Sequence, residues 1–232
     1  MLARVESVHV ILSLLLLSAA GVYWHKVCYH VRVVERGRLI RSGELGRVGL
    51  WWMWRRHGIR TVVNLMSEPE HCRETKTRWE KQFCREKGIE WVHLPMIPGM
   101  SPGPRQVHRF LEICRSGDRR PVLVHCKQGV VRTNIMVAVY MNERFGLPNE
   151  EILRGLPLFG HTFHGPRYEK VREFVLSYEG ATDGRGRDTW DRAGGVAMKR
   201  MSNPVPSAVA RRLLANLVDA VTSLVRKSDP RR

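Results

Sequence analysis

At 232 residues the chain has room for one globular domain with a sizeable core plus extra segments at its ends, so disulfide staples are not required to hold it. Its 39 Lys and Arg against 22 Asp and Glu give a formal net charge of +17. This favours anionic partners such as phosphorylated substrates, acidic lipid or nucleic acid, or else reflects Arg usage and solubility. Five cysteines without any C-x-x-C spacing argue against a disulfide framework or a thiolate zinc site and suit a reducing compartment with one thiol of interest.

Residues 8–24 carry no charged side chain apart from a possible His9 cation. The centre reads Val10-Ile11-Leu12-Ser13-Leu14-Leu15-Leu16-Leu17, with Tyr23-Trp24 placed for a membrane interface. Residues 1–28 are expected to form a membrane anchor. The alternative is a signal peptide cut after Ser18-Ala19-Ala20. Lys26, Arg32, Arg36, Arg38 and Arg41 follow the segment, and a positive flank of this kind stays cytoplasmic. The expectation is a single-pass membrane protein with its catalytic domain in the cytoplasm.

Residues 29–34 alternate and are rich in Val, predicting a strand; Gly37 turns the chain into a short second strand at Leu39-Ile40-Arg41. Residues 46–57 have helical character and are stopped by Gly58. The Trp51-Trp52-Trp54 cluster within them is read as packing rather than a ligand box. A strand over 60–65, a long polar helix over 70–87 and a strand over 89–94 come next. A Pro, Gly and Met-rich loop over 95–104 leads to a helix over 105–115. A short strand at 121–124 and helices at 132–145, 149–156 and 166–178 complete the pattern.

Strands alternating with helices predict an α/β domain with a mostly parallel central sheet flanked by helices. That domain is expected over 29–180. A basic flexible linker is expected over 181–204, and an amphipathic helix and tail over 205–232.

The chemistry concentrates at Val122-Leu123-Val124-His125-Cys126-Lys127-Gln128-Gly129-Val130-Val131-Arg132-Thr133. An apolar strand runs into a loop and the loop into a helix. Such a loop aims backbone N–H groups at one spot, and the helix dipole adds positive potential there, so the spot suits phosphate. A cysteine at the start of the loop feels the same field and is favoured as the nucleophilic thiolate. Arg132 can fork across two phosphate oxygens, and Gly129 allows the tight curl.

His125-Cys126-x5-Arg132-Thr133 resembles the signature of the protein tyrosine and dual-specificity phosphatase superfamily. Leu39-Ile40-Arg41-Ser42-Gly43-Glu44-Leu45 and Gly58-Ile59-Arg60-Thr61-Val62-Val63-Asn64-Leu65 resemble segments of its compact bacterial members. The resemblance runs from about Arg32 to Tyr178. It implies a cysteine-phosphatase-like fold and in-line attack by Cys126 to give a phosphocysteine. Arg132 would hold the equatorial oxygens, Thr133 would hydrogen-bond the thiolate, and His125 would support its ionisation. Lys127, Gln128, Gly129, Val130 and Val131 would form the substrate cradle.

Two positions depart from the family pattern. The loop 95–103 lacks the Asp that the family uses as general acid. Glu68 and Glu70 are the candidate donors, with His93 and His161 behind them. Asn134 stands where the family often has Gly. No cofactor is expected, and His161 and His164 read as loop histidines rather than metal ligands.

The expected function is a membrane-anchored phosphomonoester phosphatase, bound to the membrane through its N-terminal helix. It would act on a phosphorylated protein or a phospholipid. The competing readings are a phospholipid headgroup phosphatase and a phosphate-binding pseudophosphatase. No motif for DNA or RNA accompanies the basic residues, so nucleic acid is not an expected partner.

Overall fold

A computed structural model describes residues 2–73, 75–159 and 165–180. Five strands form one sheet: β1 (Arg32–Glu35), β2 (Leu39–Ser42), β3 (Thr61–Asn64), β4 (Glu90–His93) and β5 (Val122–His125). Their spatial order is β1-β2-β5-β3-β4. β1 and β2 form an antiparallel hairpin, and β2, β5, β3 and β4 run parallel. The helices are α1 (Leu2–Val27), α2 (Arg47–His57), α3 (Glu68–Arg73), α4 (Thr75–Glu86), α5 (Pro104–Arg115), α6 (Val131–Phe145), α7 (Asn149–Gly155) and α8 (Pro166–Ser177).

The central strands are apolar at consecutive positions because both faces of the sheet are covered. Leu39, Val63, Val122 and Val124 point into one core with Phe110, Met136, Tyr140, Ile152 and Val171. Ile40, Val62 and Leu123 point into the other, with Leu50, Met53, Phe83 and Ile89. Within the expected tryptophan cluster, Trp51 is exposed while the other two pack. Trp52 and Trp54 lie against this second core, and Trp52 meets Trp24 edge to face with centroids 5.4 Å apart.

Three expectations change. First, among the described residues no helix is long and apolar enough to cross a membrane. That finding overturns the single-pass anchor, the membrane partnership through the N-terminal helix and the membrane-based cytoplasmic placement of the domain. The segment is helical, as α1. However, its uncharged stretch covers only residues 8–24 and is interrupted by Ser13, Ser18 and Gly21, short of the ~20 predominantly apolar residues a bilayer core requires.

Second, the expected helix over 70–87 begins earlier, at Glu68, and its described spans α3 and α4 have different anchors. α3 is tied to the site through Glu70, whereas α4 buries Glu80, Phe83 and Cys84 against the sheet. Third, β1 starts at Arg32 rather than residue 29. Tyr29 and His30 instead brace the neighbouring loops: Gly43 N–H donates to the Tyr29 carbonyl at 2.9 Å, and His30 Nδ1 donates to the Gln128 carbonyl at 2.6 Å. The predicted linker and final helix lie outside the described residues.

Candidate active site

Parallel pairing of β3 and β5 sets Asn64 beside His125, so the chain leaving both strands emerges at one edge of the sheet. Open α/β sheets bind ligands at this edge. The loop after β5 carries Cys126 to Val130 and enters α6, whose first turn has no side-chain cap. Its opening N–H groups are therefore left to the loop and whatever the loop holds. Gly129 has φ +70°, and a Cβ there would stand 2.4 Å from the Ser42 carbonyl oxygen and 2.5 Å from the Gly43 nitrogen. The loop thus rests directly on the backbone that follows β2. Glu44 N–H adds a bond to the Lys127 carbonyl at 3.1 Å. Lys127 and Gln128 are exposed at the rim, while Gly129 and Val130 are buried.

Cys126 is buried, with 2% of its surface exposed. Burial pushes its thiol up. The Arg132 charge, the hydroxyl and N–H of Thr133, and the Gly129 N–H outweigh that effect, and the pKa falls below its ordinary value. The Gly129 N–H lies 3.2 Å from the sulfur. This arrangement stabilises a thiolate at the foot of a helix, the form required of a nucleophile.

Arg132 is almost wholly buried and contacts the sulfur, the Met96 carbonyl at 3.2 Å and both oxygens of Glu70. Burial lowers its pKa, but Glu70 and Cys126 raise it by more. Glu70 also accepts from the Ser67 hydroxyl at 2.7 Å and the Ser67 N–H at 3.0 Å. Burial works against the Glu70 charge, yet these partners bring its pKa down to about 2. Glu70 is therefore an anion at neutral pH with no proton to give, and its geometry is that of a holder for Arg132. Glu68 is 65% exposed and lies 3.5 Å from His93 Nδ1, on the same rim. His93 Nε2 donates to the Met66 carbonyl at 2.7 Å. His161 lies outside the described residues. Exposed Ile97 and Met100 make the facing loop apolar.

Beneath the loop, His125 Nε2 lies 3.0 Å from Glu80 Oε2, with both side chains buried. Burial disfavours the His125 cation, but Glu80, Cys126 and Glu44 raise its pKa on balance. Arg41 is fully buried. Its Nη1 donates to Asn134 Oδ1, while its Nε and Nη2 have no hydrogen-bond partner. Burial brings its pKa down to about 9, against the pull of Cys126. Asn134 also donates to the Pro157 carbonyl at 3.2 Å. The side chain that replaces the family's Gly thus ties β2 to the chain leaving α7. Among the described residues, no group of His, Cys, Asp or Glu is placed to hold a metal ion.

The sequence reading brought together Cys126, Arg132, Thr133 and His125, and the structure sets them side by side. It missed Glu80 and the Arg41–Asn134 pair. Glu80 carried no signal, being one acid on a polar helix. Asn134 did carry one, as a departure from the family pattern.

Residues 28–151 match the model of a family described as a DSP-PTPase phosphatase fused to NAD+ kinase. Over 98 residues the chain is 33% identical to NAD kinase 2, chloroplastic, of Arabidopsis thaliana, covering 42% of this chain and 10% of that one. Over 100 residues it is 29% identical to the human dual specificity protein phosphatase CDC14A, covering 43% of this chain and 15% of that one. The matched stretch is thus a small part of each relative. Among solved structures, the catalytic domain of the PP-IP phosphatase SIW14 from S. cerevisiae superposes with a TM-score of 0.53 at 17% identity. That superposition covers 64% of this chain and 85% of the yeast one, a likeness of fold.

Proposed function

Because the chain belongs to the family of DSP-PTPase phosphatase domains found fused to NAD+ kinase, we propose that residues 29–180 hydrolyse phosphate monoesters through a phosphocysteine on Cys126. The observation that carries this reading is the buried Cys126 with its lowered pKa, in contact with Arg132 at the foot of α6. The thiolate attacks phosphorus in line, and the sulfur–phosphorus bond forms as the ester oxygen departs. Water then attacks phosphorus, inorganic phosphate leaves, and the thiolate returns. Arg132 and the N–H groups from Lys127 to Arg132 balance charge on the three equatorial oxygens. Thr133 donates to the sulfur as it leaves in the second step, and His125 supports its ionisation.

The departing alkoxide needs a proton. Glu70 is committed to Arg132 as an anion, which leaves Glu68 as the carboxylate for that role. Its exposed position and the apolar loop 95–103 favour substrates with good leaving groups, aryl over alkyl. Phosphorylated proteins are the substrate class this reading favours. The missing loop acid also keeps a phosphate-binding pseudophosphatase in play as a second reading.

Turnover of an aryl phosphate by the full chain tests the proposal. Cys126→Ser should abolish turnover and retain binding of inorganic phosphate, since the hydroxyl preserves the loop but is a far weaker nucleophile. Turnover unchanged by that substitution would refute the mechanism. Phosphate binding without turnover in the unmodified chain would establish the second reading. Phosphopeptide and phospholipid panels would then separate the substrate classes.

A further inference from the structure

We propose that Glu80 is a positioning residue that holds His125 in the charged form favouring the Cys126 thiolate. This rests on Cys126 being the nucleophile. Glu80 Oε2 stands 3.0 Å from His125 Nε2, both buried. Its other oxygen accepts from Asn64 Nδ2 at 3.1 Å and Trp91 Nε1 at 2.8 Å. Asn64 is itself fixed, because its Oδ1 accepts from the Met66 N–H at 2.8 Å. The carboxylate is therefore pinned by donors from β3 and β4 and paired with His125 of β5. A buried carboxylate with such partners keeps its charge, and a buried imidazole facing it keeps its proton. Burial opposes both charges, and the pair overrides it: Glu80 lies below its ordinary value and His125 above.

The imidazolium then adds positive charge beside the sulfur. Glu80, His125, Cys126, Arg132 and Glu70 alternate in sign through contacts from the helix behind the sheet to the mouth of the site. Other groups act on this line. Glu44 faces His125 while paired with Lys76 at 3.7 Å. Arg41 acts on Cys126 from β2. Cys84 lies near Glu80 on α4, with its thiol pushed by burial up to about 12. Of these groups, Glu80 is the one in ion-pair contact with His125.

Glu80→Gln keeps the shape and the acceptor for Trp91 but removes the charge. His125 should then lose its proton, and the thiolate should form at higher pH. Alkylation by iodoacetamide, followed at the Cys126 peptide by mass, reads this without any substrate. Failure of the proposed hydrolysis would therefore leave the measurement intact. The alkylation midpoint should rise by about one pH unit or more, in line with the loss of a nearby opposite charge. Below the midpoint that is roughly a tenfold fall in rate.

Glu80→Asp should recover part of the shift. Trp91→Phe, a milder change that leaves His125 and Cys126 untouched, should move the midpoint the same way by less. In a His125→Asn background, Glu80→Gln should add nothing. A midpoint unmoved or lowered in Glu80→Gln would overturn the proposal, as would an equal shift without His125. Should Glu80→Gln unfold, an unmoved midpoint in both Glu80→Asp and Trp91→Phe would overturn it equally.

Discussion

Gly129→Ala concentrates two penalties at one atom. An L-residue at φ +70° costs about 1–2 kcal/mol in backbone strain. The new Cβ would also meet the Ser42 carbonyl oxygen at 2.4 Å and the Gly43 nitrogen at 2.5 Å, about 1 Å inside ordinary contact. Both are backbone atoms held in place, since Gly43 N–H bonds to the Tyr29 carbonyl at 2.9 Å. Overpacking of this kind adds about 1–3 kcal/mol. The expected loss is therefore about 2–5 kcal/mol, a large share of the ~5–15 kcal/mol that stabilises a typical domain. Part of the strain should be relieved by the loop lifting off β2, carrying the Gly129 N–H away from the Cys126 sulfur and raising the thiol's pKa. Urea unfolding followed by circular dichroism gives the first quantity, and the pH midpoint of Cys126 alkylation gives the second. Gly37→Ala is the control: its φ is +72° with nothing within 4 Å of the added Cβ, so it should show the strain alone. If Gly129→Ala matches Gly37→Ala in stability and leaves the alkylation midpoint unmoved, the loop does not rest on β2 as described.

Asn134→Ala should destabilise the fold by about 1–3 kcal/mol in the same unfolding assay, because the buried Arg41 loses its side-chain acceptor; an unchanged midpoint would mean that water or rearrangement replaces it. Acid titration followed by circular dichroism should show stability falling as pH drops from about 4.5 towards 2. Glu70 is held well below its ordinary value by Arg132 and Ser67, so the unfolded chain binds the proton first. That fall should be smaller in Glu70→Gln. His125 works in the opposite sense: its raised pKa contributes fully below about pH 6.5 and is lost as pH rises through the folded value. Glu68→Gln should lower turnover of alkyl phosphates and spare aryl phosphates, as loss of a proton donor does; an unchanged ratio of the two rates would remove Glu68 from that role.

The local chemistry was readable along the chain because its parts are contiguous. A strand, a loop and a helix occupy residues 122–145, and the helix N-terminus, the thiol, Gly129 and Arg132 fall within that single unit. Periodicity likewise showed buried strands, since consecutive apolar positions in β3 and β5 mean that both faces of the sheet are covered. The N-terminal segment misled because an uncharged apolar run suggests lipid by composition, whereas a span also requires sufficient length.

Tertiary structure decided what depends on distant segments meeting. Glu70 and Glu80 looked alike as acids on one polar stretch, yet one grips Arg132 at the mouth of the site and the other grips His125 beneath it. Their roles follow from the strand order that sets β3 beside β5. The same pairing turned Asn134 from a departure into the acceptor for Arg41. A charge acts across a few ångströms of space, however far apart its partners lie along the chain. The sequence could therefore single out Cys126 and its loop, and the fold alone chose which acids surround them.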